Sequence, residues 1–580
     1  MFVITGIAAS PGIAIGPAVL LPTADFAVSN QYIDVTEVKA EIVKFNQAVE
    51  KTLQDLDLCE QRLRDSLGAE YANLMSMHKM ILQDPMLKDA AVRKIKNEHM
   101  SAQAAIFHTL QELANSFSQL EDNFFKERRN DIFDVGKRLA GNLVGTKNAF
   151  LSSVKRPSVL IAHDLFPSDT INLQENQIIA FCTDLGGKTS HTAILAQSLK
   201  LPAVVGLSHA LRQTKDGDWV IVDGENGLLI INPDKHTLSL YKKTQRELKK
   251  AESLLQTINP LPTITADGKN FKLMVNFDPR TYTKDNKKLI TDGLGLLRTE
   301  FLYMDIPQPP TEMEQYRAYL TTAKMFDRLP VTIRLADLGA DKKPDFPLDE
   351  FDKDNNPFMG CRGIRLFLKN PELMHTQLRA IVRMASEVPA QVKIMIPMIS
   401  CVEEVRHVRK ALNQALQELA QEGKKPVNPI ALGGMIEVPS AAIALDGMIN
   451  ELDFLSIGTN DLIQYLIAVD RVNPEVAHMY DPCHPAVMRT IHQIIQTAHQ
   501  RGKEVSICGE IASDAKMVPL LLGLGTDILS VPPRMYLRIK NRIRNLKFET
   551  CSDAAQATLL ASSSEEIRHL VEELNQDEDS

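Results

Sequence analysis

Between Phe181 and Gly206 the chain reads FCTDLGGKTSHTAILAQSLKLPAVVG, so that His191 directly follows Gly-Gly-Lys-Thr-Ser. A histidine at the start of an alanine-rich apolar run suits two roles. In one, Gly186 and Gly187 make a turn, Thr189 or Ser190 caps a helix, and His191 is simply in its first turn. In the other, His191 is a nucleophile held where the positive end of a helix dipole welcomes a phosphoryl group. A second set of reactive types is spread over far more sequence: Arg298 and Glu300, Arg334 and Asp337, Glu437, Asn460 and Asp461, Arg471, and Cys508. Two arginines beside acids suit a dianionic phosphate, because each guanidinium offers a planar fork of donors, and Arg471 adds a third. Glu437 and Asp461, without paired His or Cys companions, make a hard oxygen site of the kind Mg²⁺ shares with substrate oxygens. Asp461 also suits a helix cap after Thr459. Cys508 ends an apolar run, where a thiol is either packed core or, beside phosphate-binding arginines, a general acid.

For these dispersed groups to act together, the elements carrying them must end at one place. Eight strand-like runs follow residue 262: KLMVNF, GLGLLRTE, VTIRLAD, VKIMIPM, LGGMIEV, DFLSIG, EVSICG and DILSV. Helix-period segments separate most of them, and eight such units in about 280 residues match the rhythm of a (β/α)8 barrel. In a barrel all strand ends open on one mouth, which is where the arginines, acids and thiol fall. Upstream, Val38, Ile42, Phe45, Val49, Leu53 and Leu56 recur at three- and four-residue steps, predicting a long amphipathic helix. Further helical stretches extend to about residue 145. SVLIAH, QIIAFCTD, AVVG and WVIVDGENGLLIINP then read as strands. The opening MFVITGIAASPGIAIGPAVLLP lacks a positive n-region and is broken by Pro11 and glycines, so two strands joined by a Ser-Pro-Gly turn are expected rather than a signal peptide. The expected division is an α/β domain from 1–29 plus 146–232, a helical insert at 30–145, a helical linker at 233–261 and a barrel at 262–575.

The bulk properties narrow the function. At 580 residues the chain exceeds what one core serves. A formal charge of −8 without a basic cluster argues against nucleic acid or an anionic membrane as partner. Seven scattered cysteines without CxxC spacing fit a reducing compartment, and no run is long enough to span a bilayer, so a cytoplasmic protein is expected.

With these residues assembled, the chain resembles the enzyme I family of the phosphoenolpyruvate-dependent sugar phosphotransferase system, essentially end to end. SPGIAIG, ERRNDIFDVGKRL, GGKTSHTAILAQSLKLPAVVG, GLGLLRTEF, NPFMGCRGIR, SIGTNDLIQYLIAVDR and CGEIA stand in the family's order. The resemblance implies a swivelling α/β phosphohistidine domain with an inserted all-helical subdomain that docks a histidine-containing phosphocarrier protein. It also implies a TIM-type barrel that binds phosphoenolpyruvate and Mg²⁺, forms a homodimer and releases pyruvate. His191 would carry the phosphoryl group, with Thr170, Lys188 and Thr189 supporting it. Arg298, Arg334, Asn460, Asp461 and Arg471 would bind substrate, Glu437 and Asp461 the metal, and Cys508 would protonate the enolate. Lys188 stands where the family commonly has arginine, Cys361 where an aromatic is expected, and Ala340 where a second glycine is usual. The alternatives are a regulatory nitrogen-branch paralogue with the same chemistry, and a dikinase-type enzyme lacking its ATP domain. The absence of GxxxxGK[ST] weighs against the dikinase. SPGIAIG beginning within the first dozen residues weighs against an added sensory domain.

Overall fold

A computed structural model describes residues 1–21, 32–66, 69–118, 135–136, 138–143, 154, 156–165, 173, 177–187, 192–193, 196, 201–278, 289–304, 306–340, 342–344, 346–348, 356–473 and 475–576. It divides into two compact units, Met1–Glu252 and Ser253–Ser580.

The first unit contains an eight-stranded mixed sheet: β1 (Phe2–Thr5), β2 (Ile7–Ser10), β3 (Ile13–Leu20), β4 (Ser158–Ala162), β5 (Ile178–Thr183), β6 (Ala203–Val205), β7 (Trp219–Asp223) and β8 (Leu228–Ile231). Their order is β1-β8-β7-β3-β4-β5-β6-β2, with β3 through β6 parallel. The opening run thus makes three strands rather than the expected two. The cause is Gly6, where a Cβ would stand 2.6 Å from the Val205 carbonyl oxygen. The chain breaks there and sends β1 and β2 to opposite edges of the sheet. β4 is buried along its whole length, as suits a central parallel strand.

The same unit holds α1 (Val38–Ser66), α2 (Ala69–Gln83), α3 (Pro85–Asn97) and α4 (Ala102–Ser118). All six periodic residues of α1 join one apolar cluster with Met75, Leu82, Leu87, Ile95, Ile106 and Leu110. Each fully buried aliphatic side chain contributes about 1.5–3 kcal/mol, so this cluster rather than helix propensity holds the layer together. Within it Asn142 donates to Thr52 and Asp55, both at 3.0 Å. Most of FKERRNDIFDVGKRLAGNLVG lies outside the described residues.

The second unit is a closed parallel barrel: β9 (Lys272–Phe277), β10 (Leu294–Leu297), β11 (Val331–Arg334), β12 (Val392–Ile396), β13 (Ala431–Ile436), β14 (Leu455–Gly458), β15 (Val505–Cys508) and β16 (Ile528–Val531). Each falls on one of the eight runs read from the sequence. Along β12, β13 and β15 alternate residues serve two cores. Val392, Ile394, Leu432, Val505 and Ile507 face the surrounding helices. Met395, Met435 and Cys508, with Leu296 and Phe454, form a separate cluster that fills the barrel interior beneath its mouth. Outside, the helix Pro371–Ala385 packs between Glu312–Ala323 and Val402–Gln421. The helix Ser564–Gln576 buries Ile567 and Val571 in the same core. No described helix is long and apolar enough to cross a membrane.

Candidate active site

Strand ends supply the site. Arg334 is the last residue of β11, Cys508 the last of β15, and Glu437 follows β13 directly. Asn460 and Asp461 lie in the first turn of the helix Thr459–Leu466, which starts where β14 stops. Arg298, one residue beyond β10, is exposed.

Arg334 is buried and donates from Nη2 to Glu300 Oε1 at 2.5 Å, with Asp337 Oδ2 3.6 Å from Nη1. Burial works against its charge, but the Glu300 and Asp337 carboxylates outweigh that and raise its pKa above the ordinary value. Burial likewise opposes the Glu300 and Asp337 anions. The arginines beside them, with Lys342, win and hold both carboxyls below their usual range. A buried polar scaffold supports this pair. Gln377 donates to Thr299 Oγ1 and to Tyr319, both at 3.0 Å, and Thr299 donates to the Arg334 carbonyl at 2.8 Å.

Arg362 completes the network and was not singled out by the sequence reading. It is 1% exposed, the bulkiest side chain so fully buried among the described residues. Its Nη2 donates to Asp337 Oδ2 at 2.7 Å, while Asp461 Oδ1 and Oδ2 lie 3.3 and 3.4 Å from its terminal nitrogens. Tyr465 also accepts from it at 3.1 Å and in turn donates to the Phe358 carbonyl. Arg471 approaches Asp461 at 3.8 Å, and Gln464 holds the Arg471 backbone at 3.1 Å. Asn460 is tied to Glu510, accepting from its amide at 2.9 Å.

Two features mark this network as incomplete. Arg334 Nε and Arg471 Nη1 are buried without a hydrogen-bond partner among the described residues, each a desolvation cost of about 1–3 kcal/mol left standing. Glu437 is buried to 1% and its carboxyl is pushed up to about 8, first by burial and then by the Asp461 and Asp337 charges. Its Oε1 accepts from the Met398 amide at 2.7 Å. A Cβ at Gly458 would lie 2.5 Å from Oε2, so only glycine leaves that oxygen room. A buried carboxyl burdened by neighbouring acids is relieved by a cation, and two carboxylates with no nitrogen or sulfur ligand fit Mg²⁺. The described residues hold no cluster of three or more His, Cys, Asp or Glu suited to a metal, so substrate and water oxygens would fill the rest of its shell.

Cys508 is 2% exposed, receives a hydrogen bond from Ser456 Oγ at 3.4 Å and feels the charges of Glu437, Arg334 and Arg298. Burial raises its pKa, so the thiol keeps its proton at neutral pH.

Three residues near the barrel site take positive φ without being glycine: Met398 at 57°, Ala340 at 55° and, three residues before Arg471, Ala468 at 54°. Each costs about 1–2 kcal/mol, which a surrounding structure must overcome.

His191, Thr170, Lys188 and Thr189 lie outside the described residues. Beside them, Gly186 takes φ 113°, which a side chain would resist, while a Cβ at Gly187 would meet nothing within 4 Å. Among the described residues, close packing therefore does not account for Gly187. Thr192 donates to the Leu165 carbonyl at 3.1 Å, and Ala193 and Ala196 sit in the apolar cluster around Phe181.

Residues 5–128, 154–227 and 252–548 match three family descriptions in order: PEP-utilising enzyme, N-terminal; PEP-utilising enzyme, mobile domain; and PEP-utilising enzyme, PEP-binding domain. The chain is 38% identical over 568 residues to the phosphoenolpyruvate-protein phosphotransferase of Priestia megaterium, covering 98% of each. It is 39% identical over 566 residues to that of Geobacillus stearothermophilus, covering 97% of this chain and 96% of the relative. To the Bacillus subtilis (strain 168) protein of the same name it is 37% identical over 569 residues, covering 98% and 99%.

Proposed function

The chain belongs to the PEP-utilising enzymes and, within them, to the phosphoenolpyruvate-protein phosphotransferases, and from that premise we propose which of its residues carry the reaction. The reaction moves the phosphoryl group of phosphoenolpyruvate to a histidine of the enzyme and on to a histidine of a small phosphocarrier protein, releasing pyruvate. This is the first step of the sugar phosphotransferase system, and it is favoured over the nitrogen-branch and dikinase readings.

In our reading Arg298, Arg334 and Arg471 grip the phosphate and carboxylate of the substrate, with Asn460 and Asp461 orienting it. Glu437 and Asp461 would hold Mg²⁺, which would supply positive charge to the oxygens on which negative charge develops. His191 is the acceptor: Nε2 forms the new bond to phosphorus as the bond to the enol oxygen breaks. Thr170, Lys188 and Thr189 support the ring and the phosphoryl group. The enolate carbon takes its proton from the Cys508 thiol, giving pyruvate, and the thiolate recovers a proton from solvent. The helical insert receives the phosphocarrier, and the barrel dimerises. The protein works in the cytoplasm.

One observation carries this reading: the buried Arg334 Nε and Arg471 Nη1 lack partners in a network otherwise dense with ion pairs. An anion of phosphate type satisfies both. The test is incubation with phosphate-labelled phosphoenolpyruvate and Mg²⁺. Wild type acquires an acid-labile label and releases pyruvate, whereas His191→Ala does neither. Label retained on the variant overturns His191 as the acceptor.

A further inference from the structure

One oxygen of the Glu437 carboxylate is held by a residue outside its own strand. The residue doing so is Met398, two positions past the end of β12. Its amide donates to Glu437 Oε1 at 2.7 Å, and the residue is 1% exposed. Its φ of 57° lies in the left-handed region that a methionine ordinarily avoids.

The chain has two tasks at this point. It must keep the Met398 amide turned to Glu437, and it must leave the strand for the helix Val402–Gln421, whose first turn is capped from Cys401. A left-handed residue reconciles them; relaxation to negative φ re-aims either the amide or the exit. The side chain is pinned as well. The Met398 Cγ and Cβ atoms lie 3.0 and 3.1 Å from where a Cβ at Gly363 would stand, the residue after Arg362. Gly363 Cβ would also meet Asp337 Oδ1 at 3.1 Å, so Met398 abuts the backbone that carries the buried ion network.

We propose that Met398 is a positioning residue: its left-handed backbone fixes the Glu437 carboxylate so that Oε1 is held by the protein and Oε2 faces the divalent cation. Strain maintained in a fully packed residue beside a reactive group is where such devices occur, and groups that orient a metal ligand commonly matter 10–100-fold for affinity. The inference rests on Glu437 being a metal ligand.

The test is Mn²⁺ binding to the metal-free full-length protein, read as free Mn²⁺ by electron paramagnetic resonance without substrate or turnover. Met398→Gly and Met398→Asn, which accept a left-handed backbone and keep the amide, should bind within about threefold of wild type. Met398→Val, whose branched side chain resists that backbone, should bind about 10–100-fold more weakly with its circular dichroism unchanged. Wild-type affinity in the folded Val variant overturns the inference. So does a tenfold loss in Gly or Asn, since that assigns the effect to the side chain, and these two carry the test if the Val variant does not fold. Glu437→Gln tests the premise separately: if it binds Mn²⁺ as wild type does, Glu437 is not a ligand, whatever the Met398 variants do.

Discussion

The barrel unit carries two arginine–carboxylate clusters that differ in what is left over once their charges are paired. In the outer cluster, Arg379 and Arg383 of the helix Pro371–Ala385 reach Glu312, Glu418 and Glu422 through links of 2.5–2.7 Å. His375 adds a contact to Glu418 at 2.9 Å. Two of its carboxyls are held below their usual range: Glu418 is pulled down to about 2, first by its bond from Gln414 and then by Arg379, and Glu422 is lowered by its bonds from Arg379 and Arg383. In the inner cluster the ions are more deeply buried, yet two guanidinium nitrogens are unpartnered and Glu437 is pushed the opposite way. Ion pairing alone therefore does not distinguish a site from a brace. The residual imbalance at the strand ends does, because unpartnered guanidinium donors and a burdened acid gathered at one mouth are what an anion with its cation would satisfy.

Removing one arginine from each cluster should break this comparison most visibly. Arg334→Ala is expected to lower kcat/KM by about 10²–10³, the scale of losing a preorganised charge at a reacting centre. Arg379→Ala should leave kcat/KM within about twofold. Equal losses in steady-state phosphotransfer would show that both clusters serve catalysis, or neither. Next in size is Cys508→Ser, expected to slow pyruvate formation by about 10²-fold, the low end of what a general acid contributes, while substrate affinity is kept. Loss of affinity instead, measured by equilibrium binding, assigns the thiol to the apolar floor it shares with Met395 and Met435.

What the sequence made legible follows the same division. The eight strands were readable because each is a short apolar run, and a barrel gathers their ends whatever lies between. Arg334, Glu437 and Cys508 could be read off for that reason. Arg362 could not, since it lies in the long connection after β11, just before the short helix Ile364–Lys369, where no periodicity points. Nothing in the spelling of NPFMGCRGIR tells an exposed arginine from one fully buried between Asp337 and Asp461. Gln377 and Tyr319 were equally hidden, being polar residues on helices that read as ordinary amphipathic faces. The split of the opening run at Gly6 escaped because it depends on Val205, far away in sequence.

The outer cluster should show itself in stability, where the inner one shows itself in rate. Arg379→Ala is expected to cost about 1 kcal/mol, less at high salt, as for networks near the surface. The pH dependence has a definite sign. The folded Glu418 carboxyl lies near 2 against an ordinary value of 4.5, so its contribution is complete above about 4.5 and is lost as the pH falls toward 2. The difference in melting temperature between wild type and Glu418→Gln should accordingly narrow on acidification through that window. A gap that is constant from pH 6 to 3 contradicts the assignment.

The smallest effect sharpens the contrast by sign rather than size. Ala340 holds φ 55° in a turn closed by the Gly339 amide to the Lys342 carbonyl at 3.0 Å and by the reverse bond at 2.9 Å. Replacing it with glycine removes about 1–2 kcal/mol of left-handed strain and adds about 0.5–1 kcal/mol of chain entropy to be lost on folding. The difference favours the variant by a few tenths to about 1 kcal/mol, or about 1–2 °C in melting temperature for a unit of this size. The same substitution at Ala411, in the middle of the helix Val402–Gln421 beside the outer cluster, must lose about 1 kcal/mol, because no strain offsets the entropy there. Opposite signs from one chemical change would show that the left-handed turn at Ala340 holds strain that the middle of the helix Val402–Gln421 does not. If calorimetry finds Ala340→Gly destabilised as much as Ala411→Gly, the turn at Gly339–Lys342 is relaxed, and the argument that strain marks the functional cluster loses Ala340.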